Sequence, residues 1–288
     1  MKDFKRGKFE YSKEESVKSG FVELDKITQG FENGNLIVIG AFPAMGKISF
    51  GISMLKNITI FDGISVAYFS LEMSISQFRS RLLSNLSGIV EDKIKAATST
   101  KLPILNRVEQ SLLNEAEEQV NNAPIHLDDT PVLSIYELRT RAFRLVREYQ
   151  IKLIVIDCLQ LMNASGTTFG NREEEVSVIT RSLKALAMEL NIPIIAFSQL
   201  NRGKEAREGI EGKRPQLSDL RESGTIEQDA DIICFVHRPE YYKIYQDEKG
   251  NDLRGMAEII VAKNRNGQTG NVLLKFLGAT SRFQNKEE

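Results

Sequence analysis

The chain has 288 residues, of which 41% are hydrophobic and 27% charged. This balance is typical of a folded globular protein and excludes disordered and fibrous classes. No apolar run is long enough to span a bilayer, and the start of the chain is too polar for a secretory signal, so we expect a cytoplasmic protein without a membrane partner. The net charge of −1 argues against a surface coated with positive charge for binding duplex DNA, although it allows a local basic channel.

Two segments of different character divide the chain. Residues 1–18 are rich in Lys and Glu and poor in apolar residues, which predicts a linker or an arm that docks on another subunit. Residues 19–288 are numerous enough to bury one large core, so we expect a single domain there. Cys158 and Cys234 each lie inside an apolar run, and this predicts two buried thiols rather than a disulfide or a metal pair.

Strand-like and helix-like segments alternate through the domain. Short β-branched runs are predicted strands at residues 35–40, 65–70, 152–157, 193–198, 231–236 and 257–263. Their nearly continuous apolar character is typical of strands covered on both faces in a mostly parallel sheet. Amphipathic helices are predicted after Ser134, which begins a capping box, and from Val176 to Leu190. This order predicts an α/β fold with helices on both faces of the sheet and loops at residues 163–171 and 202–212.

From residue 37, a predicted strand runs into a loop that ends in Gly-Lys and is followed by a helix, with the sequence IVIGAFPAMGKIS. A phosphate-binding loop needs this layout, because backbone N–H groups at a helix start surround the phosphates while the lysine reaches the β and γ oxygens. The loop signature is matched imperfectly, so a Gly-Lys turn without function stays open. The predicted ATP-binding residues are Ala41, Pro43, Ala44, Met45, Gly46, Lys47, Ile48 and Ser49.

Ile48 stands where a phosphate-binding loop ordinarily carries a Ser or Thr hydroxyl that coordinates Mg²⁺. Ser49 follows, but one step along a helix turns a side chain by about 100°, so we do not expect it to replace the lost ligand. The loop amides and Lys47 can still bind nucleotide. The sequence therefore predicts weakened metal binding and slower turnover.

Two carboxylates follow apolar strands near this loop. Asp157 ends the run LIVID, an arrangement that holds a magnesium ion through water, and the alternative is an Asp that caps a turn. Glu72 also follows a strand, where it can deprotonate an attacking water. Acidic residues favour helix starts, so spacing alone leaves the role of Glu72 open.

Ordered motifs along the chain resemble those of DnaB-type replicative DNA helicases, specifically their carboxy-terminal RecA-like ATPase domain. They are PAMGK at residues 43–47, SLEMS at 70–74, IDCLQL at 156–161, SQL at 198–200, DLRESG at 219–224 and KNRNG at 263–267, with further matches at residues 19–21, 24, 25 and 30. The resemblance extends from about residue 19 to residue 283 and implies a RecA-like P-loop NTPase core. It does not include the family's amino-terminal primase-interacting domain, and residues 1–18 correspond at most to its linker.

The resemblance implies a role for each matching residue. Glu72 corresponds to the catalytic base, Asp157 to the acid that organises Mg²⁺, and Gln199 to the sensor that couples the γ-phosphate to the DNA loops. Lys263 and Arg265 correspond to a pair that reaches the ATP site of the neighbouring subunit, with Arg265 as the arginine finger. Without the resemblance, these two would be interpreted as solvated charges after an edge strand. A finger supplied in trans makes hydrolysis depend on assembly.

The DLRESG segment resembles the family's DNA-contacting loop, which implies that Arg221, Glu222 and the backbone at Gly224 face the phosphates of one strand. Such recognition tolerates any sequence and is sensitive to salt. The resemblance thus implies an ATP- and Mg²⁺-dependent motor that unwinds DNA in replication by moving along single-stranded DNA as a homohexamer. Primase and a helicase loader are the further partners that it suggests.

Two other functions stay open at this point. A recombination or repair ATPase of the RecA/RadA kind would share the fold, although the SLEM and DLRESG strings favour the helicase. Ile48 also allows a ring component that binds nucleotide and DNA with impaired ATPase activity.

Overall fold

The computed structural model describes residues 16–100, 104–164, 169–200, 207, 211–220 and 224–286. Arg221 and Glu222 of the predicted DNA-contacting loop lie outside these residues, as does the predicted linker before residue 16. Most of the predicted loop at residues 202–212 and part of that at residues 163–171 also lie outside them.

Eleven strands form the framework of the described chain. In chain order they are β1 (Leu36–Ala41), β2 (Val66–Ser70), β3 (Ile125–Asp128), β4 (Leu133–Ser134), β5 (Leu153–Asp157), β6 (Met162–Asn163), β7 (Ile194–Gln199), β8 (Ile232–His237), β9 (Met256–Asn264), β10 (Gly270–Leu277) and β11 (Arg282–Asn285). Nine of them make one sheet in the order β11-β10-β9-β8-β1-β7-β5-β2-β3, while β4 and β6 pair separately. From β8 to β3 the pairs are parallel. The last three strands add antiparallel pairs.

Helices connect the parallel strands. They are α1 (Val22–Thr28), α2 (Lys47–Lys56), α3 (Ile75–Ser87), α4 (Glu91–Ser99), α5 (Arg107–Asn122), α6 (Ile135–Tyr149), α7 (Arg172–Leu190) and α8 (Gly224–Asp229). Because crossovers between parallel strands are right-handed, the connections running towards β3 lie on one face and those returning towards β8 lie on the other. The first layer contains α2 and α3, which pack together, and the second contains α6, α7 and α8. The predicted α/β class is confirmed.

The capping boxes that begin two helices agree with the sequence pattern. Ser74 accepts a hydrogen bond from the Gln77 N–H at the start of α3, and Ser134 accepts one from the Glu137 N–H at the start of α6. Each cap satisfies helix N–H groups that lack an intrahelical partner. These local signals depend on neighbours in sequence, which is why both helix starts were predictable.

The sheet differs from the sequence prediction at its antiparallel edge. Every residue of β1, β2, β5 and β8 is buried, as a two-sided parallel sheet requires. The predicted strand at residues 257–263 instead belongs to β9, whose residues alternate between buried and half-buried positions and which runs antiparallel to β8. The strands β3, β10 and β11 were not predicted, because short or alternating edge strands lack a continuous apolar run.

An aromatic cluster lies under the amino end of α2. The Phe50 ring stacks on Phe21 with 5.2 Å between centroids, and it meets the edge of Phe283 at 5.5 Å. Phe276 contacts Phe283 at 4.9 Å. The cluster therefore joins the segment before α1, helix α2 and the β10–β11 hairpin into one core.

The described helices include none that is long and apolar enough to cross a membrane.

Replacing Phe50 with alanine should lower the free energy of unfolding by about 3–5 kcal/mol, because a fully buried ring with two aromatic partners is lost. Phe61→Ala is the matched control, since that ring is 65% exposed and its removal should cost less than about 1 kcal/mol. Urea denaturation followed by circular dichroism measures both. Equal losses in the two variants would show that the cluster does not stabilise the domain.

Candidate nucleotide site

The glycine-lysine loop leaves the carboxyl end of β1 and leads directly into α2. Ala44 and Gly46 both have positive φ angles, +62° and +88°, so the backbone curls before Lys47 begins the helix. An alanine in this left-handed region is uncommon, whereas glycine adopts it without strain. The free N–H groups and the positive dipole end of α2 face the space enclosed by the loop. This geometry suits an anionic phosphate.

A cavity of about 590 Å³ opens beside this loop. It is lined by Ala41, Phe42, Pro43, Ala44, Gly46, Lys47, Ile48, Ser49, Glu72, Arg81, Gln199, Arg238, Phe276, Gly278 and Ser281. The predicted ATP-binding residues all belong to this lining except Met45, whose side chain is buried in the core. The volume falls within the range of small-molecule and nucleotide pockets.

Lys47 lies between the two predicted acids, Asp157 and Glu72, at the carboxyl end of the parallel strands. Its Nζ is 3.4 Å from Asp157 Oδ1 and 3.8 Å from Glu72 Oε2. Asp157 is fully buried at the end of β5, while Glu72 follows β2 and is about half exposed. Because β1, β2 and β5 are parallel, their carboxyl ends bring the three side chains together.

The Asp157 carboxylate has two different environments. Oδ2 accepts a hydrogen bond from the Tyr68 hydroxyl at 3.1 Å, whereas Oδ1 is buried without a hydrogen-bond partner. Burial, and then the charge of Asp157, raise the pKa of the Tyr68 hydroxyl well above its usual value. Tyr68 therefore remains a protonated donor, and Oδ1 is left for another partner.

A divalent cation suits this cluster. Ligand atoms of Glu72, Asp157 and Cys158 lie within 4.8 Å of one another. Carboxylate oxygens are the donors that Mg²⁺ prefers, and Asp157 Oδ1 accepts no hydrogen bond although Lys47 Nζ lies 3.4 Å from it. Cys158 is a poor ligand for such a hard ion, and burial raises the pKa of its thiol, so it stays protonated. Both cysteines are buried and free, as predicted.

The two residues after Lys47 line the cavity together. Ile48 contributes only carbon atoms and packs partly against the hydrophobic core. The Ser49 side chain is buried on the same wall. The weakened metal binding inferred from Ile48 stays a prediction, and so does the inability of Ser49 to replace the hydroxyl.

Gln199 lies at the carboxyl end of β7, on the cavity wall. Its backbone N–H donates to Gln160 Oε1 at 3.1 Å, and Gln160 Nε2 donates to Ser198 Oγ at 2.8 Å. The next residue, Leu200, pairs with Leu220 in an isolated antiparallel bridge. Leu220 is the second residue of the predicted DNA-contacting loop at residues 219–224, so this bridge holds the start of that loop beside the residue that follows Gln199. Gly224, the last residue of the predicted loop set, begins α8.

Arg238 and Phe276 are cavity residues that sequence reasoning missed. The Arg238 guanidinium lies over the Phe276 ring, 4.0 Å from its centroid, and donates to the Ala44 carbonyl at 3.4 Å. Arg238 directly follows β8, at the same end of the parallel strands as the predicted acids. This position in the sequence could have identified it as a cavity residue. Phe276 lies on β10, which has no such signal because its proximity to the loop depends on the tertiary fold.

Lys263 and Arg265 lie at the opposite end of the parallel strands, near the amino end of β8. Lys263 Nζ donates to the carbonyls of Glu227, in the last turn of α8, and Ala230, just after it, at 2.5 and 2.6 Å. Arg265 pairs with Asp231 at 3.1 Å. Asp231 also accepts hydrogen bonds from Lys184 Nζ and the Leu36 N–H, at the amino end of β1.

Strand register fixes how far this pair is from the glycine-lysine loop. Ala41 is aligned with Val236, whereas Asn264 is aligned with Ile232 at the other end of β8. With a rise of about 3.3 Å per residue, the two ends of β8 are separated by roughly 15 Å or more. One chain therefore does not bring Arg265 to its own Lys47.

A family model described as the DnaB-like helicase C terminal domain matches residues 16–285. The chain belongs to this family. The predicted family is thus confirmed, and the RecA-like fold with it.

Two replicative DNA helicases are similar in sequence to most of this chain. Replicative DNA helicase DnaB of Geobacillus stearothermophilus is 41% identical over 271 residues, covering 94% of this chain and 57% of that protein. Replicative DNA helicase DnaC of Bacillus subtilis (strain 168) is 40% identical over 271 residues, with the same coverage of both. This DnaB-like domain therefore spans less than two thirds of the length of these relatives.

Two solved structures share the fold at a TM-score of 0.85 and 35% identity, each covering 95% of this chain. One is described as the ATPase domain of G40P, of which 92% is matched. The other is a DnaB-like replicative helicase described with its interactions with primase, of which 62% is matched.

A buried histidine next to the site should make the stability of the DnaB-like domain depend on pH. Burial, and then nearby Arg214, lower the pKa of His237 to about 4. Because an unfolded histidine titrates near 6.5, the unfolded chain binds more protons between these values. The stabilisation is complete above about pH 6.5 and is lost as the pH falls towards 4, a change on the order of 3 kcal/mol.

Unfolding free energies measured from pH 7.5 to 5 test this expectation. His237→Gln should show a shallower decrease than the wild type. His126→Gln is the control, since His126 is half-buried on β3 and should retain most of the wild-type pH dependence. Identical slopes for the wild type and His237→Gln would assign the pH dependence to other groups.

Proposed function

We propose that this chain is the motor domain of a replicative DNA helicase, which hydrolyses ATP and translocates on single-stranded DNA as a hexameric ring to unwind duplex DNA. One observation carries the proposal. The predicted phosphate-binding and hydrolytic residues converge on one edge of the sheet, whereas the trans-acting pair lies at the opposite edge. In a head-to-tail ring, the surface of one subunit that carries Lys263 and Arg265 lies against the surface of the next subunit that carries the glycine-lysine loop.

Each residue in or beside the cavity has its own role in the proposed hydrolysis. The loop amides and Lys47 bind the triphosphate, and Glu72 takes the proton from the attacking water. Asp157 would hold Mg²⁺ through water, and the bound ion would neutralise phosphate charge. Gln199 contacts the γ-phosphate side of the pocket.

The neighbouring subunit completes this site. Arg265, supplied in trans, stabilises the charge that develops in the transition state, and Lys263 assists it. In the isolated chain both side chains are engaged by the region around the end of α8. Assembly therefore exchanges those contacts for contacts with the nucleotide of the adjacent subunit.

Arg221, Glu222 and the backbone at Gly224 face the phosphates of one DNA strand, and Arg221 supplies the positive charge. The bridge between Leu200 and Leu220 supports coupling of this loop to Gln199, since the two lie on adjoining backbone segments. Such a motor is insensitive to base sequence and sensitive to salt. Its place is the cytoplasm, and primase and a helicase loader are its proposed partners.

A second function is favoured by Ile48. Without the hydroxyl, the domain would bind nucleotide and DNA in a ring and turn over ATP poorly. The RecA/RadA alternative has less support, because the matched relatives are replicative helicases by name.

ATPase assays with and without single-stranded DNA separate the motor from the impaired binder. We expect the wild type to show DNA-stimulated phosphate release, and Ile48→Thr to increase its rate about tenfold through one added metal ligand. Lys47→Met is the inactive reference, and Lys26→Met is the matched surface control because Lys26 lies exposed on α1. Activity confined to Ile48→Thr would favour the impaired binder.

Complementation between inactive subunits tests the trans arrangement. Lys47→Ala rings and Arg265→Ala rings should each lose at least about 100-fold in ATPase rate. In a mixture, an intact Lys47 meets an intact Arg265 at about a quarter of the interfaces, so activity should return. Mixing Arg265→Ala with a chain carrying both substitutions is the control, which should stay inactive. A mixture that remains inactive, or an active Arg265→Ala ring, argues against a finger supplied in trans.

A further inference from the structure

Tyr68 lies next to the metal-organising acid without lining the nucleotide cavity. It occupies the middle of β2, where the register pairs it with Val155 on β5. Residues two apart on a strand share a face, so Tyr68 and Asp157 project from the same side of the sheet. The Tyr68 ring is 1% exposed and packs against Phe78 with 4.8 Å between centroids. Its orientation is therefore fixed by packing.

The hydroxyl of this ring has one described acceptor, the Oδ2 atom of Asp157 at 3.1 Å. Occupying Oδ2 fixes the rotation of the carboxylate, because the two oxygens are related by rotation about one bond. Oδ1 then faces Lys47 Nζ at 3.4 Å and accepts no hydrogen bond, which leaves it able to take part in binding an ion. A carboxylate held at one oxygen presents the other in a single direction.

Ile48 makes this orientation more important. The usual loop hydroxyl binds the metal directly, and here that ligand is replaced by carbon. The remaining protein contribution to the ion then rests on the nearby carboxylates. If the Asp157 carboxylate rotated freely, either of its oxygens could face Lys47 or the ion.

We propose that Tyr68 is a positioning residue that holds Asp157 for Mg²⁺ and thereby partly offsets the hydroxyl missing at Ile48. The inference rests on the proposed function, because it concerns the metal of the same nucleotide site. A purely structural alternative is that the hydrogen bond only ties β2 to β5. That alternative affects stability but leaves the response to metal unchanged.

The test measures binding rather than turnover. A fluorescent ATP analogue is titrated into the full chain at increasing Mg²⁺ concentration, and again in EDTA. Tyr68→Phe, which removes one oxygen and keeps the ring, should raise the Mg²⁺ concentration for half-maximal binding by about threefold to tenfold. Affinity in EDTA should match the wild type. Tyr136→Phe is the matched control, since that ring is exposed on α6.

The Ile48→Thr background shows whether the two residues serve one metal. With the hydroxyl restored, Tyr68→Phe should shift the half-maximal Mg²⁺ concentration by less than about twofold, a non-additive result expected of coupled sites. An equal shift in both backgrounds overturns the compensating role.

The remaining outcomes are distinguishable. An unchanged Mg²⁺ dependence in Tyr68→Phe, or an equal loss of affinity in EDTA, overturns the positioning role and leaves the nucleotide site intact. A wild-type chain that binds no analogue in the presence of Mg²⁺ overturns the proposed function itself, and the role of Tyr68 fails with it.

Discussion

Parallel pairing of β1 with β7 and β8 is the constraint on which the site depends. Because of this pairing, the glycine-lysine loop and Gln199 both lie at the carboxyl end of the strands. The parallel strand β5 ends with Asp157 on the same side. Apart from the exposed Gln199 at the end of β7, these strands are buried, so shifting one by a single residue would turn its side chains to the opposite face. The hydrophobic core thus fixes the relative positions of Lys47 and Asp157, although neither is itself hydrophobic.

The same pairing separates the glycine-lysine loop from Lys263 and Arg265. Because β9 runs antiparallel to β8, its last residues reach the amino end of β1, where Asp231 receives Arg265 and Lys184. Under the proposed function, a single domain therefore holds two half-sites that its own geometry keeps apart. Subunit association is required by this topology for the proposed chemistry, whatever the number of subunits in the ring.

Much of the fold was predictable because its signals are local. The buried parallel strands read as continuous apolar runs, and Ser134 with Glu137 marked a helix start that the structure retains. The glycine-lysine loop likewise predicted a nucleotide pocket, and a cavity of about 590 Å³ lies beside that loop. Arg238 and Phe276 could not be predicted, since their stacking brings together β8 and a hairpin whose alternating sequence resembles any exposed strand. Tyr68 was missed for a similar reason: its hydroxyl matters only through the register of β2 against β5.

The aromatic cluster around Phe50 has a consequence for how the domain transmits force. Phe283 contributes its ring from β11, and a Cβ added at Gly46 would lie 3.3 Å from that ring. The curled backbone of the loop therefore rests on side chains from the far end of the chain. Because close-packed interiors yield little to compression, a displacement of the β10–β11 hairpin would press the Phe283 ring against the backbone at Gly46. The position of that hairpin and the shape of the glycine-lysine loop are therefore mechanically linked.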